Sequence, residues 1–183
     1  GMTFEKTVTL KDGRNCLLRN GVTSDGKAVL DVFNRTHEET DYLLTYSDEN
    51  RFTASQEADF LQRKTDSTNT VEIIAVVDDV VAGTAGIDAL GMRDKIKHRA
   101  VFGIAITKEF WGLGIGKYLM EACIECAREA GYLQLELEVV AENERAVEMY
   151  RRAGFIEYGR NPKAFRLRTG EYQELIDMRL ELK

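Results

Sequence analysis

A short turn containing three glycines, Gly112-Leu113-Gly114-Ile115-Gly116, constrains the fold more than any other segment of the chain. It follows an apolar run at residues 99 to 107 and opens a segment, 113 to 130, in which apolar residues recur at helical spacing. We therefore predict that a strand ends before the turn, that a helix begins in it, and that Gly131 ends this helix. Such a turn presents unpaired backbone N–H groups at a helix N-terminus, where they attract an anion such as a phosphate.

The spacing of the glycines restricts the kind of phosphate site. A dinucleotide fold requires G-x-G-x-x-G, and a P-loop requires G-x-x-x-x-G-K-[ST]. Neither pattern fits, because Tyr118 occupies the Ser/Thr position after Lys117 and no glycine precedes Gly116 at the P-loop distance. The turn by itself therefore leaves two alternatives open, a phosphate site of another class or a structural loop.

The spacing of apolar residues along the rest of the chain predicts a mixed α/β fold. We predict strands at residues 16–19, 71–77, 80–89, 99–107, 133–140, 155–158 and 172–182, and helices that open near Ser24, Thr53, Leu113 and Asn143. Two of these strands form a hairpin around Asp78-Asp79, while others are joined by helices, so the sheet should be mixed. Since no repeat or Pro/Ser-rich linker divides the chain, residues 1–183 are predicted to form one domain.

Composition narrows the class of partner and the compartment. The chain has 25 basic and 31 acidic residues, a net charge of -6 and a sequence pI of about 5.1. This balance argues against nucleic acid as a partner, because phosphate contacts require a basic face, and it suits a cationic substrate. With three cysteines and no apolar run near the ~18 residues of a membrane span, we expect a reducing, cytoplasmic location and no membrane partner.

The cysteine pair Cys123-x-x-Cys126 raises the question of a metal or redox site. Both residues lie in the middle of a predicted helix, without a second pair, and His37 and His98 are the only histidines in the chain. We therefore predict buried core thiols rather than zinc or redox chemistry, and no metal cofactor.

A second motif follows the turn and identifies the family. It has the pattern L-x-V-x-x-x-N-x-x-A-x-x-x-Y-x-x-x-G-F and is carried by Leu137, Val139, Asn143, Ala146, Tyr150, Gly154 and Phe155. Together and in this order, the two motifs resemble the GNAT superfamily of acyl-CoA N-acyltransferases over about residues 99 to 160. The family usually has Gln or Arg at the first position of its phosphate motif, where this chain has Trp111.

The resemblance implies a fold, a reaction and a co-substrate. The fold would be a central, twisted, mostly antiparallel sheet of about seven strands flanked by helices, with residues 1–70 on the substrate side, 71–160 as the acetyl-CoA-binding core and 161–183 as closing strands. The enzyme would transfer an acetyl group from acetyl-CoA to a primary amine of a small molecule or peptide by direct attack in a ternary complex. A homodimer formed through edge strands is also expected.

The resemblance also assigns site residues. Contacts to acetyl-CoA are implied for Ile104, Ala105, Ile106, Trp111, Gly112, Leu113, Gly114, Ile115, Gly116, Lys117, Asn143, Ala146 and Tyr150. The family's bulged strand corresponds to Gly103 to Ile106, whose backbone would pair with the pantetheine arm and whose freed N–H would polarise the thioester carbonyl. Tyr150 would protonate the departing thiolate, since a phenol with a pKa of about 10 is protonated at neutral pH.

Several alternatives stay open at this point. Strand 99–107 contains no carboxylate, so the general base could be Glu38, Glu39, Glu49, Glu138 or a water chain. Without the resemblance, Tyr150 reads as a packing aromatic with a satisfied hydroxyl. The alternative function is a non-catalytic acyl-CoA-binding or sensing module that keeps the fold without a productive amine site.

Overall fold

The computed structural model describes residues 2–183, which form one open sheet flanked by helices. The strands are β1 (Glu5–Thr9), β2 (Asn15–Asn20), β3 (Val71–Val77), β4 (Val80–Ala89), β5 (Arg99–Ile106), β6 (Gln134–Val140), β7 (Ile156–Arg166) and β8 (Tyr172–Glu181). The longer helices are α1 (Gly26–Glu39), α2 (Ala54–Asp66), α3 (Ile115–Glu129) and α4 (Glu144–Arg152). The strand order is β1-β2-β3-β4-β5-β6-β8-β7, and neighbours are antiparallel except for β5 and β6. The predicted mixed, mostly antiparallel sheet is confirmed, with eight strands over residues 2–183 rather than about seven.

The additional strand, β1, carries little sequence signal. Of its five residues only Val8 is buried, so an edge strand of charged residues and threonines shows no apolar alternation. The predicted strand at 16–19 is confirmed as β2. β7 extends beyond the predicted 155–158. The prediction stopped short because the rest of the strand is largely exposed and irregular in register, with Pro162 at this sheet edge.

The two faces of the sheet support two clusters of buried side chains. The larger one includes Ile73 together with the apolar side of α3, and the smaller one joins Val29 of α1, Leu61 of α2 and Ile74 of β3. Since Ile73 and Ile74 are consecutive in one strand, the clusters lie on opposite faces. Helices α1 and α2 therefore cover one face, and α3 and α4 cover the other.

The predicted core thiols are confirmed. Cys123 and Cys126 are free and buried on the inner side of α3. Burial raises the pKa of Cys126 to about 11 and that of Cys123 well above the usual value for a thiol, so both stay protonated at neutral pH. No helix within residues 2–183 combines the length and apolarity needed to cross a membrane.

The sheet opens between its two parallel strands. β5 and β6 share only three pairs, from Arg99↔Gln134 to Val101↔Glu136, whereas β5 stays paired with β4 as far as Ile106. Arg99, in the first paired row, forms a salt bridge with Glu136, which stands in the last paired row. Beyond that row the two strands diverge, and the distal half of β5 has an unpaired edge on the side of β6.

The predicted bulge at Gly103 is wrong. The register between β4 and β5 runs without a shift past Gly103, and the irregularity lies instead between β3 and β4, at Ala75/Val76. There Ala82 is left out of the ladder with β3, and its carbonyl accepts bonds from both the N–H (3.0 Å) and the hydroxyl (3.1 Å) of Thr107. Gly103 instead keeps space open, since a Cβ built on it would meet no atom within 4 Å.

Close packing of α1 on α2 gives a stability prediction at Gly26. An alanine Cβ there would lie 2.7 Å from both Ala54 O and Ala58 Cβ, so Gly26→Ala should lower the free energy of unfolding by about 1–3 kcal/mol although alanine favours helices. Urea unfolding measures the change, with Lys27→Ala at the neighbouring exposed position as a control that should stay within about 0.5 kcal/mol of the parent protein. An unchanged or increased stability of Gly26→Ala would contradict the packing.

Candidate functional site

The glycine turn forms a cradle of free backbone N–H groups. Gly112 (φ +77) and Gly114 (φ +95) adopt left-handed conformations that favour glycine, and α3 begins directly after Gly114 with no side chain capping it. No backbone N–H from residue 112 to residue 117 donates a hydrogen bond to another described residue, and the first bond of the helix runs from Tyr118 N to Gly114 O (3.3 Å). With the positive end of the helix dipole behind them, these N–H groups form an anion site.

Two contacts from other segments hold the turn in place. Lys11 N, from the connection between β1 and β2, donates to Leu113 O (3.1 Å). The indole Nε1 of Trp111 donates to Ile106 O (2.8 Å), which ties the turn to the end of β5. Because this indole N–H is occupied by the protein, Trp111 can reach a ligand only through its backbone or its ring.

Two cations that the sequence analysis missed lie beside the turn. A Cβ built on Gly112 would be 3.8 Å from Arg145 Nη1, and one built on Gly114 would be 3.9 Å from Lys11 Cε. Neither cation has an ion-pair partner among residues 2–183. Lys117, the cation predicted from sequence, lies at the exposed side of α3, where its Nζ is 4.0 Å from Glu121 Oε1. Arg145 stands two positions after the motif residue Asn143, whereas nothing in the local sequence marks Lys11.

The unpaired edge of β5 continues from the turn. Leu90 N donates to Arg99 O, and Thr107 N donates to Ala82 O, so the odd-numbered residues of β5 direct their backbone groups to β4. The even-numbered Ile104 and Ile106 therefore point theirs into the gap beside β6. The predicted contact at Ala105 cannot be made by its backbone, which faces β4. An extended ligand could pair with this edge as an added strand.

Tyr150 stands at the closed end of the gap. Its ring packs edge-on against Phe102 of β5 (6.1 Å between centroids) and against Phe155 (5.7 Å). Its hydroxyl forms no hydrogen bond with a described residue, and burial raises its pKa above the usual value, so the phenol is protonated at neutral pH. Within residues 2–183, Gln173 Oε1 is the only fully enclosed side-chain polar atom without a partner. The Tyr150 oxygen is therefore not fully enclosed, and it has no hydrogen-bond partner among the described residues.

The other motif residues lie at the start of α4. Asn143 occupies the N-cap position, where its backbone carbonyl accepts from Val147 N (3.1 Å), but its side chain makes no capping bond. This side chain is thus free for a ligand. Ala146, one turn into the helix, packs in part against the larger core cluster.

A cavity of about 560 Å³ opens on the face covered by α1 and α2. It is lined by Val29, Phe33, Thr45, Glu49, Asn50, Arg51, Phe52, Glu57, Phe60, Lys64, Glu72, Thr84, Asp88 and Ala105. We call it the acidic cleft, because Lys64 Nζ contacts both Glu72 Oε2 (3.0 Å) and Asp88 Oδ2 (3.3 Å) beside the further carboxylate of Glu57. Burial, followed by the charge of Glu72, raises the pKa of Glu57. Three carboxylates around one buried lysine leave a negative site that suits an ammonium group.

The carboxylates proposed from sequence are distributed unevenly around this cleft. Glu49 lines it. Glu39 Oε1 accepts from Lys108 N (3.0 Å), and Glu38 and Glu138 are exposed outside it. The sequence analysis missed Glu72, although a lone acidic residue in an otherwise apolar strand could have signalled it.

Comparison with known proteins shows the family to which the chain belongs. A family model described as "Acetyltransferase (GNAT) family" matches residues 29–155. The L-amino acid N-acetyltransferase AaaT of Escherichia coli (strain K12) is 31% identical over 118 residues, which cover 64% of this chain and 72% of the relative. A mycothiol acetyltransferase of Propionibacterium freudenreichii subsp. shermanii is 42% identical over 55 residues, which are 30% of this chain and 18% of the relative.

Solved structures show the same fold over nearly the whole chain. An acetyltransferase of the GNAT family from Streptococcus pneumoniae superposes with a TM-score of 0.86 at 27% identity, covering 91% of this chain and 99% of the other. YncA from Salmonella typhimurium, solved with its cofactor acetyl-CoA, gives a TM-score of 0.82 at 16% identity, covering 92% and 95%. The chain therefore belongs to the GNAT family and is an acyl-CoA-dependent acetyltransferase.

Proposed function

We propose that this enzyme transfers the acetyl group of acetyl-CoA to a primary amine of a small molecule or peptide, by direct attack in a ternary complex. One observation carries the proposal: the turn with its free N–H groups is bonded to the end of β5, the edge of β5 is unpaired, and Phe102 of β5 contacts Tyr150, which together define a path along this strand. A long ligand with an anionic end and a reactive thioester end matches that path. The shared fold with an acetyl-CoA complex supports the same choice.

In the proposed complex the cofactor is held at three places. The pyrophosphate lies on the N–H groups of residues 112 to 117, with Lys11, Arg145 and Lys117 supplying positive charge. The pantetheine amides pair with the edge presented by Ile104 and Ile106. This places the thioester near Phe102, beside the phenol of Tyr150.

The chemistry then needs no covalent enzyme intermediate. The amine nitrogen attacks the thioester carbon, and the N–H of Ile104 stabilises the oxyanion that forms. As the C–S bond breaks, Tyr150 donates its proton to sulfur, so that CoA leaves as a thiol. The acidic cleft, on the opposite face of the sheet, provides an entry for a cationic acceptor and favours turnover over cofactor binding alone.

L-amino acids are the first acceptors to test, because the relative AaaT is named for acetylating them. The cleft has both carboxylates and Arg51 in its lining, a combination that can receive the ammonium and the carboxylate of a zwitterion. The cytoplasmic location, the homodimer and the exclusion of nucleic acid remain predictions.

Removing the phenol should impair the chemical step. We expect Tyr150→Phe to lower kcat by about 100-fold while leaving the KM for acetyl-CoA unchanged, because only proton donation to sulfur is lost. Release of CoA thiol is followed with L-leucine, L-phenylalanine, spermidine and phenethylamine as acceptors, and Tyr158→Phe, at an exposed tyrosine, is the control. An unchanged kcat would remove the acid role, and absence of turnover with all four amines despite CoA binding would contradict the proposed function.

The two ends of α3 offer a matched test of the anion site. Gly114 (φ +95) and Gly131 (φ +89) have similar left-handed conformations, so alanine strains both positions by about 1–2 kcal/mol. Gly114→Ala should weaken CoA binding by about 10-fold or more, because it reorients the N–H groups of the turn. Gly131→Ala should leave binding unchanged in calorimetric titration. Equal effects of the two substitutions would place the phosphates elsewhere.

The raised pKa of Tyr150 also predicts a pH dependence. A phenol loses its proton as the pH rises through its pKa, and burial places this pKa above the ordinary value of about 10. We therefore expect kcat to show no alkaline decline between pH 7 and pH 10. A decline with an apparent pKa below 9 that Tyr150→Phe abolishes would contradict this assignment.

A further inference from the structure

Three residues on neighbouring strands form a row across the sheet. Glu72 of β3 lies opposite Gly86 of β4, and Gly86 lies opposite Gly103 of β5. A Cβ on Gly86 would collide with the carboxylate of Glu72, so this carboxylate lies directly over the backbone of β4. Over Gly103, by contrast, no atom lies within 4 Å of the Cβ position. The row thus runs from a carboxylate across one glycine to open space above a second glycine.

The spacing of the row suits a proton transfer. Residues facing each other in an antiparallel ladder have Cα atoms about 4.5–5.5 Å apart, so the carboxylate over Gly86 is about one strand spacing from the space over Gly103. An amine nitrogen placed there would be within reach of the carboxylate through one bridging water. It would also stand beside Ile104, the neighbour of Gly103, whose backbone faces the gap proposed for the thioester.

The faces of the sheet separate this carboxylate from the proposed acid. Phe102, which Tyr150 contacts, belongs to the core cluster on the side of α3 and α4. Gly103 follows Phe102 in the strand and therefore faces the opposite side, together with Glu72. An acyl group in the gap between β5 and β6 would have Tyr150 on one face and Glu72 on the other.

The charges around Glu72 come from several elements. α2 contributes Lys64 and Glu57, and β4 contributes Asp88 and the hydroxyl of Thr84, while the thiol of Cys123 lies across the sheet on α3. Burial raises the pKa of Glu72, and Lys64 opposes that shift. A carboxyl with a raised pKa holds a proton more readily at neutral pH than an exposed one does.

We propose that Glu72 is the general base of the acetyl transfer. This inference rests on the proposed function. The carboxylate takes one proton from the acceptor ammonium, and the neutral amine forms a C–N bond with the thioester carbon. The C–S bond then breaks, Tyr150 protonates sulfur and regains through solvent the second proton lost by nitrogen, and Glu72 releases its own proton to water. The net products are the amide, CoA thiol and one proton.

The isosteric variant Glu72→Gln tests the proposal, because its amide can still accept a hydrogen bond from Lys64 but cannot take a proton. The acceptor is the amine turned over fastest among L-leucine, L-phenylalanine, spermidine and phenethylamine. At pH 7 we expect kcat/KM for that amine to fall by about 100-fold, with the Kd for acetyl-CoA unchanged. Glu125→Gln, at an exposed carboxylate on α3, should keep the parental rate. Asp88 also contacts Lys64 but lies outside the row of Glu72, Gly86 and Gly103, so Asp88→Asn should lower kcat/KM by less than 10-fold.

The pH dependence of the defect separates a base from a structural residue. As the pH approaches 10 the amine loses its proton without help, so the deficit of Glu72→Gln should shrink to a few-fold. A deficit that stays constant from pH 7 to pH 10, or no deficit at pH 7, would overturn the assignment of Glu72 while leaving the acetyltransferase function in place. Absence of wild-type turnover with all four amines would instead overturn the proposed function. If Glu72→Gln does not fold, Glu72→Gln combined with Lys64→Met, which removes both members of the buried pair, serves for the same comparison.

Discussion

The early separation of the two parallel strands is the constraint on which the rest of the site depends. After three residue pairs, β5 and β6 leave each other, and both backbone groups of Ile104 and the N–H of Ile106 lose the partner that a complete sheet would supply. Backbone N–H and C=O groups left without partners cost free energy unless water or a ligand binds them. An extended amide-bearing ligand therefore gains its binding energy from groups that the fold itself leaves open.

Side chains fix the position and depth of this opening. The salt bridge between Arg99 and Glu136 marks the closed end, and the aromatic ring of Tyr150 fills the space between Phe102 and Phe155 where the strands part. The indole of Trp111 caps the open end by bonding to the last carbonyl of β5. These residues thus mark the two ends of the proposed cofactor path.

The two faces of the sheet support different parts of the candidate site. The larger core cluster, with α3 and α4, supports the cradle and Tyr150, while the smaller cluster of Val29, Leu61 and Ile74 supports the acidic cleft. In the proposed reaction, the amine attacks from one face and the thiol leaves toward the other, which requires no rearrangement of the sheet between the steps. The cluster on the cleft face is the smaller one and lies on the other side of the sheet from the cofactor path. Substitutions in the cleft that alter acceptor preference should therefore disturb the cofactor side little.

Local patterns determined much of this protein from sequence alone. The hairpin of β3 and β4, the capping box of Thr53 with Gln56, and the start and end of α3 all follow from neighbouring residues, because turn conformations and helix caps are formed within a few positions. The glycine turn was found for the same reason, whereas a role for Tyr150 came only from the resemblance to the GNAT family. Only the tertiary structure decided the remainder. It brings Lys11 and Arg145 to the turn, sets Glu72 in line with Gly103, and assigns to Gly103 open space instead of a bulge, since these relations depend on strand order and register between distant segments.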